Sequence, residues 1–249
     1  MDFRKQIIAN SVQLHQTSMP HISLDTVIFG FDDGKLKVLL LKMNFNKQWF
    51  LPGGYILKDE NINKAAQRIL KERAGVNHIF LKEFAVFGDQ NRTQGFFDDY
   101  DDDLWHKMRF VTIGFYALVN YADVKASKDD LSESIDWIDL DSIDDIPLTM
   151  DHAEIIKKAL WTLRTEISYQ PIGINLLPEK FTLPELQKLY ETILGRTLNR
   201  GNFYRKIKNM GILTKHDERK VVVGHKAPDL YSFDLIRYNQ ILQEGLNNW

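Results

Sequence analysis

"GGYILKDENINKAAQRILKERAGV", residues 53–76, decides how the rest of the chain is read. Two glycines lead into it. Asn61 is placed to cap a helix over 61–75. Ala65, Ala66, Ile69 and Leu70 recur at helical spacing, and Gly75 provides the stop. On such a helix, positions 69, 72 and 73 fall on one face.

Working outward, the flanking segments read as strands. "SLDTVIFGF" (23–31) is β-branched and apolar, and "DDGK" turns it into "LKVLLLKM" (36–43). "WFLPGGYI" (49–56) is a strand broken by Pro-Gly-Gly. Further strands are expected at 79–88, 109–120 and 134–140. "DHAEIIKKALWTLRTEI" (151–167) is a helix, with Asp151 and Glu154 as a capping pair and Ile155, Ile156, Ala159, Leu160 and Leu163 as its apolar stripe. Between the fourth and fifth strands lies "DQNRTQGFFDDYDDDLWHK" (89–107), a long acidic, aromatic loop. Such loops are lids, binding loops or mobile connections. Its five aspartates at 98–103 lack calcium-loop spacing and read as solvated. Mixed strands with one helix after the third strand and one at the end give an α+β sandwich. "SYQPIG" (168–173) breaks the chain, so domains are expected at 1–168 and 172–249.

Composition bounds the function. The chain has 249 residues, 44% of them hydrophobic and 27% charged, which fits a globular protein. No apolar run approaches the ~20 residues that span a bilayer. The N-terminal "MDFRKQIIANSVQLHQ" reads as a short amphipathic arm, not a signal peptide. The absence of cysteine excludes disulfides and thiolate metal sites and suits a cytoplasmic protein. Charge is unevenly spread: residues 1–171 are net −6, residues 172–249 net +4, and 196–226 alone net +7. That asymmetry is expected when one module meets nucleic acid.

The basic part has a matching pattern. Thr182 and Glu185 form a capping box opening a helix through Leu186, Leu189, Tyr190 and Ile193, which Gly195 ends. A second helix is expected at about 199–210, with Phe203, Ile207 and Met210 facing the core and Asn202, Arg205, Lys206 and Asn209 on another face. Those polar side chains are of the types that read base edges and bind phosphates. "ILTK", a polar turn and "KVVVGHKAPDLYSF" then suggest a β-hairpin. Helix–turn–helix plus hairpin is a winged-helix arrangement. Double-stranded DNA contacts are expected from Arg200, Asn202, Arg205, Lys206 and Lys208 on the second helix, and from Lys220, His225 and Lys226 on the wing.

The opening stretch resembles the Nudix hydrolase signature, G-x5-E-x7-R-E-U-x-E-E-x-G-U with U aliphatic. Gly54, Glu60, Arg68, Leu70, Gly75 and Val76 keep its frame without a gap. The resemblance covers roughly 20–168 and implies a Nudix-like α/β/α sandwich. In that family three glutamates bind Mg²⁺. Here their positions hold Ile69, Glu72 and Arg73, and Glu72 is expected to pair locally with Arg73 or Arg68. Metal-assisted hydrolysis needs charge stabilisation and a generated nucleophile, which this face supplies poorly. No metal, cofactor or catalytic residue is therefore expected. Either 53–76 is now only architecture, or the pocket binds a ligand without cutting it, with Asp25, Lys42, Glu72 and Arg73 as candidate ligand-binding residues.

"PIGxNLLPEKFTLxxLQxLYE" and "MDHAEII" (150–156) extend the resemblance to nearly the whole chain. They resemble the Nudix-related transcriptional regulators, which couple a Nudix-like sensor to a winged helix. The resemblance implies a homodimer, operator DNA, and a small effector that is a sugar or a nucleotide sugar; the sugar-sensing, pentose-linked members suit the lost metal ligands. The alternative is a Nudix pyrophosphohydrolase acting on ADP-ribose-like nucleotides. Other chemistry is unsupported: no H-x-x-H, H-E-x-x-H or G-x-S-x-G pattern occurs, and His152 is read as packing ahead of lining the pocket.

Overall fold

The central strand explains the layering. β1 (Ile22–Asp32) is buried along most of its length, so each of its faces must be covered. Leu24 and Ile28 point to one face and Val27 and Phe29 to the other. The first pair packs with Ala65, Ala66, Ile69, Leu70 and Ala74 of helix α1 (Ile62–Ala74). The second pair packs with Ile155, Ile156, Ala159 and Leu163 of helix α2 (His152–Glu166). The result is a helix–sheet–helix sandwich. The structure is a computed structural model and describes residues 21–43, 47–75, 80–96, 98, 105–124, 126, 132–168, 170–220 and 227–244.

Among the described residues the sheet has seven strands. β2 (Lys35–Met43) returns antiparallel to β1 through a tight turn in which Asp33 and Gly34 take positive φ. β1 also pairs antiparallel with β4 (Gly53–Tyr55) and parallel with β6 (Val111–Asn120). β3 (Trp49–Phe50) and β7 (Ser132–Asp139) pair with β2, and β5 (Phe80–Phe87) pairs with β6. Asn61 caps α1 through Lys64 N–H, and Gly75 closes it with φ 70°.

The second unit is a winged helix. β8 (Phe181–Thr182) leads into α3 (Leu183–Leu194), then α4 (Arg200–Asn209), β9 (Leu213–Arg219), β10 (Asp229–Phe233) and α5 (Leu235–Glu244). The strands form a sheet in the order β8-β10-β9. The capping box is present: Thr182 accepts from Glu185 N–H, and the Glu185 carboxylate accepts from Thr182 N–H. The short β8 and the helix α5 carry no pattern read in the sequence.

The two units share packing. Leu36, Val38 and Leu40 of β2 belong to one buried cluster with Leu186, Leu189 and Ile193 of α3. Thr192 Oγ1 donates to the Gly34 carbonyl at 2.9 Å. The break at 168–172 is thus a change of element, and apolar packing continues across it. No helix among the described residues is long and apolar enough to cross a membrane.

Candidate functional site

A cleft of ≈ 430 Å³ opens beside the first turn of α2, within the size range of small-molecule pockets. Ser23 and Asp25 of β1, the Gly53–Tyr55 strand, and Arg73 from the last turn of α1 form part of its wall. Arg92, Thr93 and Phe96 of the loop after β5 and Met150 and His152 at the start of α2 form another part. Met150 is held at φ 49°, a left-handed conformation unusual for a side chain of its size.

A buried charge network forms the back of the cleft. Arg92 donates from Nε and Nη2 to the two carboxylate oxygens of Asp151, both at 2.9 Å. Arg92 Nη2 also reaches Asp25 Oδ2 at 3.3 Å, and Thr112 Oγ1 donates to the same oxygen at 2.8 Å. The Arg92 side chain is 4% exposed and those of Asp25 and Asp151 are 11% and 12%. Two carboxylates share one guanidinium, and of the two Asp25 lines the cleft.

This geometry corrects the reading of Asp151. It occupies the N-cap position of α2 but makes no side-chain cap hydrogen bond. The stronger bidentate partner, Arg92, takes its carboxylate instead. Arg92 lies in the long acidic loop whose aspartates at 98–103 read as solvated, and sequence reasoning did not single it out. A lone arginine in an acidic loop carries no local signal for a partner 59 positions away.

His152 lines the cleft and is 4% exposed. Its Nδ1 accepts from Leu51 N–H at 3.1 Å, which places the ring proton on Nε2. Nε2 faces Asp25 Oδ1 at 3.8 Å, beyond direct hydrogen-bond range. Burial pushes the imidazole pKa below its ordinary value, so the ring is neutral near pH 7.

Helix α1 shows what replaced the metal ligands. Arg68 donates from Nε to Glu60 Oε2 at 3.0 Å and from Nη2 to the Tyr55 carbonyl at 2.8 Å. Glu60 also accepts from Leu57 N–H, so the pair braces the loop leading into α1. Hydrogen bonds from Arg68 hold the Glu60 carboxyl below its usual pKa. Ile69 is 2% exposed and packs with Leu24, Ile113 and Phe115, close against Gly54. Glu72 is 56% exposed and accepts from Arg68 Nη1 at 3.0 Å. Arg73 Nε donates to the Gly53 carbonyl at 3.2 Å. Burial lowers its pKa, yet a guanidinium remains charged. A hydrocarbon, an ion-paired glutamate and a cation do not fit Mg²⁺. Among the described residues, no group of three His, Asp or Glu side chains is arranged to hold a metal.

Of the four ligand-binding candidates, Asp25 and Arg73 line the cleft. Glu72 does not: Arg68 holds it on the outer side of the helix. Lys42 does not either. Its neighbours Leu41 and Met43 line the cleft, whereas its ammonium lies 5.8 Å from the Trp49 ring. Alternation along a strand sends the residue between them the other way.

In the winged helix, Phe203 and Ile207 are buried, while Arg200, Asn202, Arg205, Lys206 and Lys208 of α4 are exposed. Asn199 caps the helix by accepting from Asn202 N–H at 3.0 Å. Arg205 Nη2 donates to Asn202 Oδ1 at 2.9 Å, and the Arg200 guanidinium lies 5.2 Å from the Tyr204 ring. Lys220, just after β9, is tied to the Glu185 carboxylate of the capping box. His225 and Lys226 lie outside the described residues.

Known proteins share this arrangement. Residues 19–159 match the NUDIX domain and residues 173–233 match the NrtR DNA-binding winged helix domain. The chain is 31% identical over 227 residues to the ADPR responsive transcriptional repressor NtrR of Acinetobacter baylyi, covering 88% of this chain and 84% of that protein. This chain belongs to the Nudix-related transcriptional regulators. A solved regulator of this kind, Shewanella oneidensis NrtR complexed with a 27mer DNA, superposes with a TM-score of 0.73 at 26% identity, over 88% of this chain and 95% of that one. A MutT/nudix family protein from Enterococcus faecalis shares the fold with a TM-score of 0.66 at 19% identity, over 91% and 93% of the two chains. The effector named for the Acinetobacter regulator is ADPR, a nucleotide sugar. That finding removes support for the pentose-linked reading.

Proposed function

We propose that this protein is a DNA-binding repressor whose Nudix domain senses ADP-ribose, or a closely similar nucleotide sugar, without hydrolysing it. The observation that carries the reading is the replacement of metal carboxylates by a core hydrocarbon, Ile69, and a cleft cation, Arg73. A diphosphate needs positive charge, and Arg73 offers it where the hydrolases use Mg²⁺. The Asp25 carboxylate in the cleft wall suits a ribose hydroxyl. The ADPR-responsive repressor of Acinetobacter baylyi and the DNA-bound Shewanella regulator support the same assignment. The cleft holds its ligand and cuts no bond in it.

The DNA contacts fall to Arg200, Asn202, Arg205, Lys206 and Lys208 on the exposed face of α4, acting in a cytoplasmic homodimer. Arginine and asparagine read base edges, and the lysines neutralise phosphates. The effector acts by differential affinity for the DNA-competent and DNA-incompetent states.

Fluorescence anisotropy on a labelled fragment of the gene's own upstream DNA tests the reading, at fixed salt. ADP-ribose is expected to release the DNA and arabinose to leave it bound. Absence of DNA binding under every condition would remove the regulator assignment, and release by arabinose alone would overturn the effector class.

A further inference from the structure

The three residues that lead into α2 are each held at a cost. Thr149 is 2% exposed, and its Oγ1 has no hydrogen-bond partner among the described residues. A buried hydroxyl left that way is unfavourable. Met150 stands at φ 49°, where a side chain of its size is strained. Asp151 sits at the N-cap of α2 without capping it. The cap residues of α1, α3 and α4 have extended ψ angles of 165°, 157° and 118°, and each side chain accepts from a first-turn N–H. Asp151 instead has ψ 14°. Upstream the segment is fixed, because Thr149 N–H donates to the Trp49 carbonyl at 3.1 Å. The cost is therefore confined to the junction between β3 and the helix.

Arg92 holds that junction in place. Its two hydrogen bonds to Asp151, both at 2.9 Å, are bidentate and charge-assisted. Arg92 and Met150 line the cleft, whereas Asp151 lies behind them. The guanidinium thus stands between the cleft and the start of the helix. A diphosphate offers a guanidinium the same bidentate geometry as a carboxylate, with more charge. Asp151, once released, is the right residue type in the right position to cap α2. Asp25 keeps its hydrogen bond from Thr112 Oγ1.

We infer that the diphosphate of the effector takes Arg92 from Asp151, and that the freed Asp151 turns to cap α2, so that binding in the cleft moves the helix that reaches the winged helix. This rests on the nucleotide-sugar reading above. Coupling between sites requires two arrangements of one element, of which the ligand favours one. Capping of α2 and relief at Thr149 and Met150 offset the lost ion pair and keep the two arrangements close in free energy.

The test is calorimetric titration of ADP-ribose into the full-length protein, Asp151→Asn and Asp151→Ala, with DNA anisotropy on the same samples. Asparagine caps a helix as well as aspartate does but brings no charge to Arg92. Asp151→Asn is expected to bind ADP-ribose about three- to tenfold more tightly than the parent, because Arg92 is easier to recruit, and to release DNA in response. Asp151→Ala can form no cap. It is expected to bind ADP-ribose at least as tightly as the parent, while the effect of ADP-ribose on DNA binding falls about fivefold or more. Amide exchange over residues 150–156 supplies a readout in the parent itself. ADP-ribose is expected to slow the first-turn amides of α2 in the parent and in Asp151→Asn, and not in Asp151→Ala. If the Arg92–Asp151 pair is only structural, Asp151→Asn binds ADP-ribose no more tightly than the parent. That result, undiminished DNA release by Asp151→Ala, or unchanged exchange in the parent overturns the switch while the effector reading stands. A parent protein that does not bind ADP-ribose overturns both.

Discussion

Arg164 Nε donates to the carbonyl of Ile193 at 2.7 Å, tying the last turn of α2 to the last turn of α3. The other end of α2 supplies His152 to the cleft. A 15-residue helix is about 22 Å long, so one rigid element spans from the ligand site to the winged helix. There α3 supports α4 through Tyr190, whose ring lies 5.2 Å from Phe203. Arg164→Ala is expected to leave the affinity for ADP-ribose alone and for DNA alone within about twofold. The factor by which ADP-ribose weakens DNA binding is expected to fall about five- to tenfold, within the usual scale of coupling between sites. Anisotropy titrations with and without the effector measure it, and an undiminished effect excludes this hydrogen bond as the link.

Arg92 is the guanidinium shared by two buried carboxylates, and removing it takes that cation from both. Arg92→Ala is expected to lower the unfolding free energy by about 3–5 kcal/mol, the cost of an uncompensated buried charge. Urea denaturation gives the number, and a decrease below about 1 kcal/mol would contradict the network's structural weight.

His152 sets a pH response. The unfolded chain takes up the imidazole proton near pH 6.5, the folded protein only at lower pH. Between those values the unfolded state binds more protons, so stability falls as pH falls. The contribution is fully present above about pH 6.5 and is lost at up to about 1.4 kcal/mol per pH unit below it. His152→Asn keeps an acceptor for Leu51 N–H and removes the titration. Its stability is expected to vary less than the parent's between pH 6.5 and 5 in urea titrations at matched salt. Parallel curves would rule the group out.

For the DNA face, Arg205→Ala with Lys206→Ala is expected to weaken DNA binding. The slope of log affinity against log salt is expected to shrink by about one, for the phosphate that Lys206 no longer neutralises. ADP-ribose binding is expected to remain unchanged. A double variant with the parent's DNA affinity would move the interface off α4.

Local chemistry made much of this legible in the sequence. Asn61, Gly75, Thr182 with Glu185, and the Phe203/Ile207 stripe act over a few residues, and each forms as its spacing dictates. The cleft was less legible because its interactions are long-range. Arg92 reaches Asp25 and Asp151 across 67 and 59 positions, and no local pattern announces such a pairing. Asp151 looked like a helix cap because cap residues and ion-pair residues are the same residue types. Lys42 was misplaced by strand alternation, and Glu72 by the turn of the helix, although its pairing with Arg68 follows from their spacing. The continuous core between β2 and α3 was hidden for the same reason: a chain break is visible in sequence, and the packing across it is not.

A hydrolase scaffold with a disabled metal site acting as a sensor must bind its nucleotide, respond to it and return it whole. Incubating the DNA-bound protein with ADP-ribose and Mg²⁺ separates sensor from enzyme in one experiment. Anisotropy follows release of the DNA, and chromatography recovers the nucleotide afterwards. DNA is expected to be released and ADP-ribose to be recovered intact. Accumulation of AMP and ribose 5-phosphate, at a rate abolished by Glu72→Gln, would contradict the sensor assignment.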